Sequence, residues 1–391
     1  MNILFFHSNG IVPTAGGISR TTHNLVRLFR EKGHEVWLIG AKDKHPDASY
    51  DEHQRFLPSS ERADLATNMS FMLDFIQSWH IDIIINQTPF SPDIVHLLSC
   101  CRTKTGTKVV SCYHNSILTP IYNYAYQKEY NLRKHRLPFL FWLLKLKMVN
   151  SFLVNVYITK YRKTFRTTAD SSDAVVLLCN GQVDEWQRMC GYADNKKVMV
   201  IPNYAPIAND SFSEGKEKMV LWVGTFDYAI KRPDLMLRIW AKVEERYPDW
   251  KLYMLGDGPA LPEMKLLAQQ LGLRRLVFTG RVTPTPFYKE AQIQCVTSVH
   301  ESFSLVSVES MQYGNPVIAF NSYTAAPYVI IDKENGLLIA PFDIDAYADS
   351  LKMLMDDNHL RESMGKSAQK SISRFTPDTV YALWQQLFER L

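Results

Sequence analysis

Two glutamates in an otherwise apolar run pose the first chemical question. In VHESFSLVSVESMQYGNPVIAFN, residues 299–321, Glu301 and Glu309 stand with seven residues between them. The run reads as a strand end, a helical pattern over 305–313, a stop at Gly314 and Pro316, and a second strand. Ser304 falls at the N-cap position and Gly314 at C′, and Pro316 cannot continue the helix. Leu305, Val306, Val308, Met311 and Tyr313 leave the helix little solvent face, so Glu309 is expected to be largely buried. Such a carboxylate either pairs with a neighbour or accepts hydrogen bonds from a ligand such as a sugar diol. Glu301 lies just before the helix, at the carboxyl end of the strand QCVTSV, where it can reach a cleft. Between the acids, the free N–H groups around Ser304 and Leu305 suit a phosphate. One segment thus offers a phosphate cradle flanked by two diol-binding carboxylates. Taken alone, Glu309 is equally explained as an exposed helix residue or one half of a structural ion pair.

These residues need a scaffold, and the rest of the chain supplies its pattern. Short apolar runs (ILFF, EVWLI, DIIIN, VVSCY, AVVLLC, VMVIP) alternate with helical stretches, the pattern of β-α-β units around a buried parallel sheet. A loop-like stretch, NYAPIANDSFSEGKEK (203–218), reads as a linker. Beyond it a second series follows: MVLWVG, a helix over 234–247, KLYMLG, a helix over 261–271, RLVFTG, a helix over 285–291, QCVTSV, PVIAF and GLLIA. The fold class is therefore α/β, with two doubly wound domains and ligands expected at the carboxyl ends of strands, in the cleft between the domains. The expected domains are 1–205 and 206–375, with a packing helix in FTPDTVYALWQQLFERL carrying Val380, Leu383, Trp384 and Leu387.

Composition narrows the function classes. The 391 residues are 46% hydrophobic and 21% charged with a net charge of +4, which suits packed cores and gives no general argument for nucleic acid. The opening MNILFFHS lacks a basic region and cleavage site, so no signal peptide is expected. Cys100, Cys101, Cys112, Cys179, Cys190 and Cys295 show no zinc-like spacing and fit buried free thiols in a reducing, cytoplasmic setting. The one Asp-x-Asp, Asp343 and Asp345, reads as a helix start rather than a cation site. Residues 128–166 break the rhythm with ten Lys or Arg, one acid (Glu129) and eight aromatics. Such a segment either lies on anionic lipid or forms packed helices with a solvated basic face.

The Glu, seven residues, Glu arrangement followed by MQYGNPVIAF resembles the signature of retaining glycosyltransferases, family four in particular, on the GT-B fold. GGISRTTHNLVRLFREKGHEV (16–36), VGTFDYAIKRPDLML (223–237), LGDGP (255–259), FTGRV (278–282) and ENGLLIAPFD (334–343) resemble family motifs in the family's order over both domains. The resemblance implies that Glu309 holds the nucleotide ribose and Glu301 the transferred sugar. Gly16 and Gly17 would let backbone approach the donor diphosphate, although alone they are also a plain turn before a helix. Lys231 matches the lysine that neutralises the diphosphate, with Arg232 beside it as a further candidate; a solvated helix start is the alternative for the pair. Thr225 stands where the family often has arginine, and Ser304 where many members have glycine. His114, ending the strand in VVSCYHNS, matches a histidine near the reacting sugar, while a lone histidine is more often structural.

The implied activity is transfer of a hexose from a UDP- or GDP-sugar to a hydroxyl of a glycan or lipid-linked acceptor, with retention and without a metal cofactor. Envelope or lipopolysaccharide synthesis at the inner face of the cytoplasmic membrane is the implied setting. The usual account in the family is front-face, with the departing phosphate oxygen taking the acceptor proton. The implied final helix, 376–391, packs back on the first domain. A nicotinamide enzyme would need Gly-x-Gly-x-x-Gly, and GDGPAL at 256–261 lacks the third glycine. A nucleotide-sugar epimerase of the same architecture and a non-catalytic sugar-binding protein are the other readings.

Overall fold

The computed structural model describes residues 1–13, 16–192, 196–206 and 215–391. The middle of the expected linker, 207–214, lies outside the described residues. The chain divides into two compact units: Met1–Asn115 with Val156–Tyr204 and Pro377–Leu391, and Ser116–Asn155 with Ala205–Thr376.

The first unit holds β1 (Asn2–His7), β2 (Glu35–Gly40), β3 (Gln54–Phe56), β4 (Ile83–Asn86), β5 (Lys108–Tyr113), β6 (Ala174–Leu177) and β7 (Val198–Val200). They form one parallel sheet in the order β3-β2-β1-β4-β5-β6-β7. The strands are apolar on both sides because both faces are covered. Ile3, Phe5, Ile83 and Ile85 pack into one core and Leu4, Phe6, Ile39 and Ile84 into the other. The helix Gly17–Glu31 covers the first face through Leu25, Val26, Leu28 and Phe29. The helix Pro377–Arg390 packs there too, with Trp384 edge-on to Phe29 at 5.5 Å between centroids and Tyr381 Oη 2.8 Å from His34 Nε2.

The second unit holds β8 (Met219–Val223), β9 (Lys251–Leu255), β10 (Leu276–Gly280), β11 (Ile293–Val296), β12 (Val317–Phe320) and β13 (Gly336–Ile339). Their order is β10-β9-β8-β11-β12-β13, again parallel. Strand order reverses between β8 and β11, so the loops leaving these two strands diverge and open a crevice at their carboxyl ends. The helix expected over 234–247 is shorter, Pro233–Ala241, followed by a 3-10 turn at Glu244–Arg246.

Residues 116–155, read from sequence as part of a first domain over 1–205, cluster with the second unit. Aromatic stacking is the physical reason. Tyr126 lies 3.7 Å from Phe342 between ring centroids, and Tyr130 stacks on Tyr228 at 3.6 Å with the ring planes nearly parallel. Asn123 adds amide donation to the carbonyls of Val299 (2.7 Å) and Ser322 (2.6 Å).

Candidate functional site

The second unit builds a candidate site from the loops after β8 and β11. Between β8 and the next helix, Asp227 accepts from the Ile230 amide at 2.6 Å, and the Arg232 amide donates to the Asp227 carbonyl at 3.1 Å. This tight turn presents Lys231. Its backbone is tied across the reversal point: the Val299 amide donates to the Ile230 carbonyl at 2.7 Å, and Thr297 Oγ1 donates to the Lys231 carbonyl at 3.0 Å. Trp222 Nε1 in turn donates to Thr297 Oγ1 at 3.0 Å. Two loops far apart in sequence are thus held side by side by backbone bonds.

That stitching brings Lys231 and Glu301 together. Lys231 Nζ and Glu301 Oε1 form an ion pair, and Ser298 Oγ donates to the same carboxylate oxygen at 2.6 Å. The pair is partly buried. Four residues beyond Glu301 the helix Leu305–Met311 begins, shorter than the expected 305–313. In its first turn the Ser307 amide donates to the Ser304 carbonyl at 3.0 Å, and the amides ahead of it precede the helical ladder. Ser304 occupies the N-cap position with φ 66°, the left-handed region, which a glycine would adopt with less strain. Its hydroxyl does not cap an amide; it lies 2.8 Å from Ser307 Oγ, so the side-chain cap expected from sequence is replaced by a hydroxyl pair. Glu309 is half-buried and accepts a hydrogen bond from Tyr288 Oη at 3.1 Å. His300, next to Glu301, is buried enough that desolvation lowers its pKa from the ordinary value.

Arg232 is a correction. It follows Lys231 directly but is only 4% exposed, and its backbone turns through φ 49°. The guanidinium makes a two-point pair with Asp234 (2.8 and 2.9 Å), a second with Glu129 (3.0 Å), and donates to the Tyr126 carbonyl. It borders a cavity of about 630 Å³ whose lining includes neither Lys231 nor Glu301. With two carboxylates already facing it, Arg232 acts as a structural cation that fixes the 116–155 segment to this unit. Thr225, where the resemblance implies an arginine, is exposed.

The glycines of LGDGP explain the shape of the crevice floor. Gly256 has φ 132°, and a Cβ built on it would lie 1.9 Å from the Gly224 carbonyl oxygen. At Gly258, with φ 156°, the corresponding distance is 2.6 Å to the Phe226 carbonyl oxygen. The loops after β8 and β9 pack backbone to backbone here, sealed by Gly224 N to Leu255 O (3.0 Å) and Phe226 N to Asp257 O (3.0 Å).

The first unit has a polar cluster of its own at the carboxyl ends of β1, β4 and β5. His114 is buried, with Nε2 hydrogen-bonded to Gln87 Oε1. That bond puts the proton on Nε2 and leaves Nδ1 as an acceptor. Among the described residues neither His114 Nδ1 nor Gln87 Nε2 has a partner. Burial and the neighbouring His7 push the His114 pKa down to about 4, and His7 is lowered as well, chiefly by burial. The imidazole is therefore neutral near pH 7 and serves as a hydrogen-bonding group, not a cation. Gly16 takes φ 139°, a region that favours glycine, and Gly17 opens the helix Gly17–Glu31.

A pH dependence follows. The folded-state pKa of His114 lies below the unfolded value near 6.5, so its contribution is fully present above 6.5 and is lost as pH falls from 6.5 towards about 4. The loss is on the order of 3 kcal/mol over that window. Thermal melts of wild type and His114→Gln at pH 7 and pH 4.5 should show a steeper decline for wild type. Parallel declines would remove His114 as the cause.

Of the residues singled out from sequence, the structure places Lys231, Glu301, Ser304, Leu305 and Glu309 in the second unit and Gly16, Gly17 and His114 in the first. Sequence reasoning missed Ser298, Tyr288, His300 and Gln87. Ser298 and His300 flank Glu301 within one strand end and could have been found from that proximity. Tyr288 and Gln87 carry no local signal, because they meet their partners only through packing.

Two family models match the chain: "Glycosyltransferase Family 4" over residues 15–207 and "Glycosyl transferases group 1" over residues 205–371. A D-inositol 3-phosphate glycosyltransferase of Corynebacterium aurimucosum is 32% identical over 171 residues, covering 41% of this chain and 40% of that one. An α-1,4-N-acetyl-D-galactosaminyltransferase of Campylobacter jejuni, acting on a GalNAc-containing diNAcBac-PP-undecaprenol, is 28% identical over 183 residues, 46% of this chain and 50% of that one. The matched stretches thus span half or less of these relatives. Among solved structures, Anabaena HepE in complex with UDP superposes with a TM-score of 0.77 at 16% identity, covering all of both chains. That likeness shows the fold.

Proposed function

Because the chain belongs to the family-four glycosyltransferases and has the GT-B fold, we propose that it moves a hexose from a nucleotide sugar to a hydroxyl of a glycan or lipid-linked acceptor, with retention at the anomeric carbon. The observation that carries this reading is the Lys231–Glu301 pair at the strand-order reversal, with the start of Leu305–Met311 four residues beyond Glu301. In the proposed complex Lys231 turns from Glu301 to the donor diphosphate and stabilises the charge that develops as it leaves. Glu301 is then free to accept from sugar hydroxyls, and the Ser304 and Leu305 amides meet the phosphate. Glu309, oriented by Tyr288, takes the ribose diol. In the first unit His114 and Gln87 offer one unused acceptor and one unused donor, which suits a sugar hydroxyl on the acceptor side. The uridine ligand of HepE and the polyprenyl-linked acceptor of the Campylobacter relative support a UDP-sugar and an envelope glycan as the first compounds to try.

Lys231 supplies the positive charge in this scheme, so no metal is proposed. Asp343 supports that reading because its carboxylate is engaged as a helix cap, accepting from the Ala346 amide at 3.0 Å. Activity abolished by EDTA and restored by manganese would overturn it.

The test is a thermal-shift screen against UDP-, GDP-, ADP- and CDP-hexoses, followed by turnover with the donor that stabilises. At a ligand concentration 100 times Kd the expected stabilisation is about 2.7 kcal/mol. Glu309→Ala should lose most of that shift, with donor binding weakened roughly 10- to 100-fold. Proton NMR of the product should show the donor's anomeric configuration. Epimerised donor in the absence of acceptor would favour an epimerase instead, and an unchanged shift in Glu309→Ala would remove the ribose assignment.

A further inference from the structure

We propose that the bend between the helices Pro138–Lys145 and Lys147–Ser171 is a membrane-docking wedge that seats on an anionic lipid surface. The two helices meet at 78° around Leu146. At this bend large apolar side chains point outward: Met148 is 85% exposed, Trp142 and Phe152 65%, and Phe139 62%, with Leu143 and Leu146 beside them. Neighbouring large side chains exposed to this degree mark a surface that meets an apolar phase.

The wedge is held, not loose. Phe141, on the opposite side of the first helix, is buried edge-on against Tyr126 at 5.5 Å between centroids. Asn150 Nδ2 donates to the Tyr122 carbonyl at 2.9 Å. The apolar tip is therefore presented at fixed orientation by anchored neighbours.

Charge selects the occupant. Lys134, Arg136, Lys145 and Lys147 lie near the tip along the chain, Arg133 pairs with Glu129, and no acid occurs between Tyr130 and Ala169. Lys145 Nζ lies 5.1 Å from the Trp142 ring, an ammonium beside an indole, as at a membrane interface. Cations at head-group level with rings entering the interface fit an anionic leaflet. A second copy docking through the same patch would set cation against cation, which opposes an isologous dimer. Among the described residues no single helix is long and apolar enough to cross a membrane.

The proposal does not depend on the transferase reading, and its test needs no substrate. Flotation would compare vesicles of phosphatidylcholine alone with vesicles containing ~30% phosphatidylglycerol, at low and high salt. Wild type should float with the anionic vesicles at low salt and be released as salt rises. Arg136→Gln with Lys147→Gln should weaken partitioning about fivefold per cation removed. A triple variant, Phe139→Ser, Trp142→Ser and Met148→Ser, should lose at least ~10-fold while melting like wild type, because these side chains are exposed. Failure of wild type to float, or flotation unchanged in both variants, would overturn the proposal. So would resistance to alkaline carbonate, which indicates an embedded segment. Light scattering that shows a dimer dissolved by the triple variant, without flotation, would assign the patch to a second copy instead.

Discussion

Lys231→Ala is expected to lower kcat/KM by about a thousandfold while moving the melting temperature by only a few degrees. The separation follows from where the charge sits. Lys231 Nζ pairs with Glu301 with the side chains 21% and 11% exposed, so removing the lysine leaves a partly buried carboxylate held by Ser298, at a folding cost on the order of 1 to 3 kcal/mol. In the proposed transition state the same ammonium faces a diphosphate that gains charge as the sugar departs, and removing one such group costs on the order of 3 to 4 kcal/mol of barrier. Glu301→Ala should also be slow, and the double variant should be little worse than Lys231→Ala, since both residues act on one bound donor. Steady-state kinetics with the donor found by thermal shift, alongside melting curves, checks this. Near-wild-type kcat/KM in Lys231→Ala would dismantle the donor assignment.

Gly256→Ala is the second large expectation, and it acts on the scaffold. The new methyl group would have to share space with the Gly224 carbonyl at 1.9 Å, with backbone on both sides and φ at 132°. Relief requires parting the loops after β8 and β9, and Gly224 lies against the Lys231 side chain, so the cation moves with them. We expect a loss of about 3 kcal/mol, a melting temperature lower by roughly 10 °C, and a fall in turnover. Gly272→Ala is the control. Its φ is 69° but its Cβ would meet nothing within 4 Å, so only the backbone cost of about 1 kcal/mol applies. Equal melting of the two variants would show that the close approach is unimportant.

The parallel α/β architecture was legible because each strand is apolar on both faces and each helix carries its own period, and both are properties of neighbouring residues. The same locality exposed the segment 299–321, where Glu301, the start of Leu305–Met311 and Glu309 fall within a few residues of one another. Left-handed turns were partly legible: Gly314 was placed at a helix end and has φ 68°, whereas the same region at Ser304 and Arg232 gave no glycine to read.

Lys231 and Arg232 show where sequence stops. They are adjacent and alike in charge, yet one meets Glu301 and the other is locked by Asp234 and Glu129. Glu129 lies about a hundred positions away, so no local pattern could have sorted them. Residues 116–155 joined the second unit for the same reason, through Tyr126 on Phe342 and Tyr130 on Tyr228. Sequence alone determined the element types, the motif order and the family, because these depend on short-range periodicity and spacing. Tertiary structure decided which carboxylates each cation meets, which glycines lie against another backbone and which aromatic rings remain outside. Those outcomes depend on partners that only long-range packing brings within reach.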